Sequence, residues 1–251
     1  MTVYDAQFYA DQVEDSARSA RAVLPLVFAA GRPTSVIDVG CGQGAWLAVA
    51  EELGATDLTG LDGDWVDRGA LRSPRIDFRA TDLTGPVAID RRRDLCISVE
   101  VAEHLPASSA DGFVRTLCAA ADLVLFSAAV PLQGGTDHVH EARASAWVAR
   151  FDAEGYHCFD LLRGAIWDRA DVAWWYRQNA LLFAKRGSAA HTRVSALPLP
   201  PPPRDLVHPE AFEGKVRWLE GERERLRAAV EQPTVGRALR ALARAILGPR
   251  G

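Results

Sequence analysis

The sequence predicts an α/β fold, a seven-stranded and mostly parallel sheet with helices on both faces, followed by a C-terminal helical extension. Three observations lead there. Short β-rich apolar runs alternate with segments of helical period, as in parallel sheets joined by crossover helices. The first of these runs leads directly into a glycine-rich turn and then a helical segment. Further on, Leu197-Pro-Leu-Pro-Pro-Pro-Pro203 must be extended, because each proline fixes its own φ and pushes its predecessor out of the helical region. It separates the alternating part from charged helical sequence.

The elements follow in order. Val13, Ala17, Ala20, Val23, Leu24 and Val27 mark a leading helix within residues 4–30, its period broken near Pro25. Strands are expected over 35–39, 57–62, 76–82, 94–99, 123–129, 156–162 and 173–184. Helices are expected over 45–53, 108–121 and 144–153. Beyond the prolines, Phe212, Val216, Leu219, Leu226 and Val230 form one apolar stripe, and Val235, Leu239, Leu242 and Ile246 a second whose ionisable neighbours are arginines. The expected organisation is a domain over 1–187, a proline-rich linker over 188–209 and a helical extension over 210–251. That extension is expected to pack on its own domain or on a second copy in a homodimer, with an anionic membrane surface or a peripheral partner as the alternative for its final arginine-bearing segment.

Bulk properties exclude several functions. With 251 residues, 48% hydrophobic and 25% charged, the chain can bury a full core. A net charge of -4 lacks the concentrated positive field that a sequence-independent grip on nucleic acid needs. The four cysteines, Cys41, Cys96, Cys118 and Cys158, stand singly among apolar residues, as reduced buried thiols do. Neither a signal peptide nor an apolar run of about 18 residues is visible, so no transmembrane segment and a cytoplasmic location are expected.

A strand that ends in Gly40-Cys-Gly-Gln-Gly44 presents free backbone N–H groups and allows close approach of a ligand. The spacing is tighter than the dinucleotide fingerprint. Asp62 ends the second strand, where an acidic side chain can take both hydroxyls of a ribose. Asp82 ends the third and Ser98-Val-Glu100 the fourth.

Through Val36-Ile-Asp-Val-Gly-Cys-Gly-Gln-Gly44, Gly60-Leu-Asp62, Ala80-Thr-Asp82 and Ser98-Val-Glu-Val-Ala-Glu-His-Leu-Pro106, the sequence resembles the class I S-adenosylmethionine-dependent methyltransferases, which are Rossmann-like. The resemblance implies S-adenosyl-L-methionine as cofactor. It places the methionine portion on Asp38, Gly40, Cys41, Gly42 and Gly44, the ribose on Asp62 and Gly63, and the adenine on Thr81, Asp82 and Leu83. Glu100 and Val101 through His104 would line the methyl-transfer side.

The loop Pro131-Leu-Gln-Gly-Gly-Thr-Asp-His-Val-His-Glu141 leaves the fifth strand at the edge where ligands of open parallel sheets sit. Methyl transfer to a hydroxyl needs an aligned acceptor and a group that removes its proton, a task that suits histidine near neutral pH. His138 is the preferred base, with Glu141 and His104 in support. Asp137, His138, His140 and Glu141 also leave open a divalent-metal cluster, for instance for Mg²⁺.

Phe126-Ser-Ala-Ala-Val-Pro-Leu-Gln-Gly-Gly135, His138-Val-His-Glu141 and Trp174-Trp-Tyr-Arg-Gln-Asn179 are similar to a bacterial subgroup that accompanies polysaccharide and glycoside assembly. That subgroup usually has asparagine at the position of His140, which weakens a metal reading built on two histidines. The resemblance implies O-methylation of a sugar or glycoside hydroxyl. Gln133, His140, Trp174, Tyr176, Gln178 and Asn179 are the expected acceptor contacts, since aromatic faces stack on sugar rings and planar polar groups pair with hydroxyls. A tailoring enzyme for small natural products, or a non-catalytic cofactor-binding subunit of a glycan-assembly complex, are the competing readings.

Overall fold

The computed structural model describes residues 6–198, 200, 209–231 and 236. The chain divides into two compact units, Met1–Arg204 and Asp205–Gly251. In the first, the elements run α1 (Ala6–Phe28), β1 (Ser35–Val39), α2 (Ala45–Glu52), β2 (Asp57–Asp62), β3 (Ile76–Ala80), β4 (Leu95–Val99), α3 (Ala110–Ala120), β5 (Leu123–Ser127), α4 (Ala144–Ala153), β6 (Tyr156–Phe159), α5 (Leu161–Ile166), α6 (Trp174–Asn179), β7 (Leu181–Lys185) and α7 (Ala189–Ser195). The sheet has seven strands in the order β3-β2-β1-β4-β5-β7-β6. Only β7 runs against its neighbours β5 and β6. This is the α/β fold with a mostly parallel sheet that the sequence pattern predicts.

Alternation along each strand feeds two cores, one on each face. Val36, Leu95, Ile97, Leu125 and Leu182 turn to the face under α1 and α2, where Trp46, Leu47 and the buried residues of α5, α6 and α7 join them. Ile37, Cys96, Val124, Phe126 and Phe183 turn to the face under α3 and α4, against Phe113, Leu117, Trp147 and Phe151. Phe151 and Phe183 stack there with centroids 3.9 Å apart.

Three expectations change. The run 173–184 is not one strand, because residues 174–179 form helix α6 and only 181–185 pair in the sheet. A helical turn puts Tyr176 and Asn179, three residues apart, on one buried face and leaves Trp174 outside; a strand would have buried Trp174 with Tyr176 and Gln178. The aromatic composition had suggested a strand. Similarly, β6 stops at Phe159 and residues 161–166 are helical. Pro25 does not break α1, for it lies on the exposed side, where water can satisfy the carbonyl that its missing N–H leaves free.

The stretch expected to open the linker begins with α7, whose Ala190 and Val194 are buried and whose Ser188 caps the helix through the His191 N–H. In the second unit, α8 (Pro209–Glu231) exposes Phe212, Trp218, Leu219 and Leu226. The arginine-rich stripe of Val235, Leu239, Leu242 and Ile246 lies outside the described residues. No helix among the described residues is long and apolar enough to cross a membrane.

One glycine is fixed by packing alone. Gly60 pairs between Asp38 and Phe78 in the sheet, and a Cβ there would meet Cys41 Sγ at 2.7 Å and Ile76 Cγ2 at 3.3 Å. Gly60→Ala should therefore cost about 2 kcal/mol of unfolding free energy, as overpacking does, and lower the melting temperature measured by calorimetry.

Candidate active site

Strands β1 to β5 end at one edge of the sheet, so the loops after them meet there. The turn after β1 is built on three left-handed glycines, Gly40 (φ 90°), Gly42 (φ 51°) and Gly44 (φ 76°). Gly40 has a second constraint, since a Cβ would lie 2.3 Å from Val101 Cγ2, the first residue beyond Glu100. A Cβ on Gly42 would meet nothing within 4 Å, so bare backbone faces open space there. The Asp62 carboxylate accepts from the N–H groups of Gly42 and Gly63, each at 2.7 Å, and so ties the β2 end to the turn. Asp38 is 2% exposed and its Oδ1 has no hydrogen-bond partner. Burial, with the Asp62 charge behind it, drives its carboxyl well above the usual carboxylate range. Burial likewise raises the Cys41 thiol, with the Asp38 and Asp62 charges adding, so Cys41 is packing and not a nucleophile.

At the β3 end, the Asp82 carboxylate accepts from the Thr84 N–H and hydroxyl at 2.8 and 2.7 Å, which holds it below its usual range, while Leu83 is buried. Thr81 N–H donates to Asp62 C=O at 2.7 Å. A cavity of about 350 Å³ opens here, lined among others by Leu61, Thr81, Asp82, Val87 and Ile89.

The fourth and fifth strand exits form the opposite half of the site. Glu100 adopts φ 54°, a left-handed conformation rare outside glycine and held here against strain. Its carboxylate accepts from Gln133 Nε2 and Asn179 Nδ2, both at 3.2 Å. Gln133 Oε1 in turn accepts from Asn179 Nδ2 at 2.9 Å and Gln178 Nε2 at 3.3 Å, so α6 delivers its two amides to the β5 loop. Ala102–His104 make one 3-10 turn, and the carbonyl of Glu103 accepts the N–H groups of Val139 and His140 at 2.9 and 3.0 Å. That clamp brings the β5 loop onto β4.

His138 Nδ1 lies 3.0 Å from Glu141 Oε1, and Glu141 also accepts from the Leu132 and Gly134 N–H groups at 2.7 and 2.8 Å. The His138 ring lies over Gly135, where a Cβ would come within 2.3 Å of Nε2. His104 stands edge-on to His138 at 5.0 Å, its Nδ1 3.3 Å from the Asp137 carbonyl. Partial withdrawal from water, then the neighbouring His138, lowers the His104 pKa. Within 4.8 Å of a nitrogen of each ring, Glu103 is fully buried and neither carboxylate oxygen has a hydrogen-bond partner. Burial pushes its carboxyl up to about 9, and the Glu100 charge adds to the shift.

Not every expected residue belongs to this group. Among the described residues, the ligand-bearing side chains that cluster are Glu103, His104 and His138, not the set Asp137, His138, His140 and Glu141. His138 and His140 do not act as a pair, since His138 turns to Glu141 and to the His104 ring. His140 packs on Trp147 at 5.5 Å, where burial and Arg150 lower its pKa, and the contact that Asp137 makes with the histidines is through its carbonyl. Tyr176, expected to stack on an acceptor, is 5% exposed in the core, edge-on to Trp46 at 5.2 Å with its hydroxyl 3.2 Å from Ser16 Oγ. Trp174 is 48% exposed and free to stack. Glu103 lies in the segment expected to line the methyl-transfer side, but its isolation could not be read, because it needs the β5 loop closed over it. One residue escaped the sequence reading. Trp65 is 80% exposed with its ring against Gly63, and its place two residues beyond Asp62-Gly63 was a readable signal.

Residues 9–163 match the family model described as a methyltransferase domain. None of the curated proteins searched matches the chain. Among solved structures, the chain is similar to magnesium protoporphyrin IX methyltransferase from Synechocystis PCC 6803 with bound SAH, at TM-score 0.54 and 16% identity over 74% of this chain and 89% of that one. It is similar to Streptomyces venezuelae DesVI at TM-score 0.53 and 14% identity, over 71% and 95% of the two chains. An O-methyltransferase family protein from Burkholderia thailandensis gives TM-score 0.52 and 14% identity, over 74% and 61%. These likenesses show the fold, and the family match covers more than half of the sequence. With the glycine turn, the acidic β2 end and the strand order in place, the chain belongs to the methyltransferase domain family and is a class I S-adenosylmethionine-dependent methyltransferase.

Proposed function

We propose that the chain is an O-methyltransferase that moves a methyl group from S-adenosylmethionine to a hydroxyl of a sugar, glycoside or oligosaccharide. The observation that carries this reading is the His138 imidazole fixed by Glu141 at 3.0 Å, on the same sheet edge as the glycine turn. The residues fit the donor. The unpartnered Asp38 oxygen and the bare backbone at Gly42 suit an amino acid moiety, with Gly40, Cys41 and Gly44 shaping the turn and Val101 covering it. Asp62 with Gly63 would hold ribose hydroxyls, and Thr81, Asp82 and Leu83 would hold the adenine, with Trp65 over the nucleoside. When bound, the donor supplies a methyl carbon on a positively charged sulfur, so an attacking oxygen forms its bond as the C–S electron pair returns to sulfur.

The acceptor hydroxyl must be aimed and must lose its proton. His138 takes that proton on Nε2, because Glu141 holds Nδ1 in its protonated form. Glu100, Gln133, Gln178 and Asn179 offer a network of carboxylate and amide groups that can exchange internal hydrogen bonds for bonds to ring hydroxyls, and Trp174 offers an exposed aromatic face. Such a surface suits a polyhydroxylated acceptor. His104 and the clamped segment at His140 border it.

Three substitutions test these roles. His138→Ala should lower kcat on a methyl-accepting glycoside by about a hundredfold or more, the usual worth of a general base, while calorimetry finds S-adenosylhomocysteine affinity changed by less than about threefold. Asp62→Ala should do the reverse first, weakening S-adenosylhomocysteine by about a hundredfold. Gly135→Ala, which removes no polar group, should reproduce much of the His138→Ala loss by displacing the ring; unchanged kcat would show that the imidazole position does not matter.

A further inference from the structure

We propose that Glu103, His104 and His138 form a binding site for one divalent transition-metal cation of the Mn²⁺, Co²⁺ or Zn²⁺ kind. Each residue offers one ligand atom, and all three atoms lie within 4.8 Å of one another. Independent of that clustering, Glu103 is fully buried with both carboxylate oxygens unpartnered. A carboxyl group held this way is costly unless something satisfies it, and a cation satisfies it fully.

The histidines are arranged as ligands usually are. Metal-bound imidazoles give their other nitrogen to a carboxylate or a backbone carbonyl, which fixes tautomer and ring direction. Here His138 Nδ1 faces Glu141 and His104 Nδ1 faces the Asp137 carbonyl. Both rings are thus left with an Nε2 lone pair. Bonds of about 2.1 Å to a common ion require the three atoms to close by about an ångström, which the exposed His104 ring permits. Two imidazoles with one carboxylate favour a first-row transition ion over Mg²⁺, which prefers oxygen donors and keeps its waters. Three protein ligands leave coordination positions open for an acceptor oxygen.

The ion's catalytic part rests on the O-methyl-transfer reading above; its binding does not. With the ion in place His138 Nε2 is a ligand and not the base, and a hydroxyl bound to the metal ionises more readily, its proton passing to water; the base role above then belongs to the chain without the ion.

The test uses the full chain, stripped with chelator and then titrated calorimetrically with MnCl₂, CoCl₂, ZnCl₂ and MgCl₂. We expect one ion per chain, Mg²⁺ weaker than the others by more than about tenfold, and visible d–d bands with Co²⁺. Glu103→Gln and His138→Asn should each weaken Co²⁺ by about a hundredfold. Because Glu103 is buried, His104→Asn gives a variant on an exposed ring: Co²⁺ should raise the melting temperature of the parent chain but not of this variant. Absent saturation, or binding unaffected by the three substitutions, overturns the site. Each sample is also titrated with S-adenosylhomocysteine. Intact nucleoside binding without an ion response overturns the cation site alone, and an ion response without nucleoside binding upholds it while overturning the donor assignment.

Discussion

The hydrogen bond from the Gly42 N–H to the Asp62 carboxylate joins the ends of two neighbouring strands, and the rest of the site is referred to that junction. It works because β1 and β2 run parallel and in register, so that their exits arrive side by side. The glycines then let the backbone turn through left-handed conformations that side chains resist, and Val101, arriving from β4, packs where a Gly40 side chain would have been. The Asp62 charge also adds to the burial that drives the Asp38 carboxyl above the usual carboxylate range. Geometry and electrostatics of the donor half thus come from the same few residues.

The acceptor half depends on a different economy. Among the described residues, three of the four non-glycine residues with left-handed backbone, Glu100, Leu132 and Asp137, border it, and each such residue costs on the order of 1–3 kcal/mol where nothing relieves it. The clamp on the Glu103 carbonyl, the Glu141 bonds to two loop N–H groups and the Glu100 amide network hold that strain in place. What they achieve is a pair of histidines and a buried carboxyl group converging beside the proposed methyl-transfer edge.

Strand order and site half were legible to different degrees, for physical reasons. β1, β2 and the glycine turn could be read because they depend on local chemistry, where a β-rich run must stop at glycines and an acidic residue must close the next strand. The continuous apolar runs of β4 and β5 were equally local. Trp174-Trp-Tyr-Arg-Gln-Asn179 misled because aromatic residues favour strands in general, whereas here two residues three apart had to be buried together, a demand set by α1 and Trp46 from far along the chain. The metal-type cluster was misplaced for the same reason. Sequence spacing grouped His138 with His140, but His140 is taken up by Trp147, and the residues that cluster with His138 come from the turn after β4, Glu103 thirty-five residues earlier and His104 beside it.

The central proposal is that a hydroxyl receives a methyl group at the sheet edge to which the loops carrying Asp62 and His138 both belong. The most direct measurement is mass detection of product after incubating the protein with S-adenosylmethionine and a panel of sugars, glycosides and amine-bearing analogues. The account predicts a gain of one methyl group on a polyhydroxylated acceptor, located on oxygen by fragmentation. Methyl gain confined to nitrogen acceptors, with every hydroxyl acceptor untouched, would contradict it.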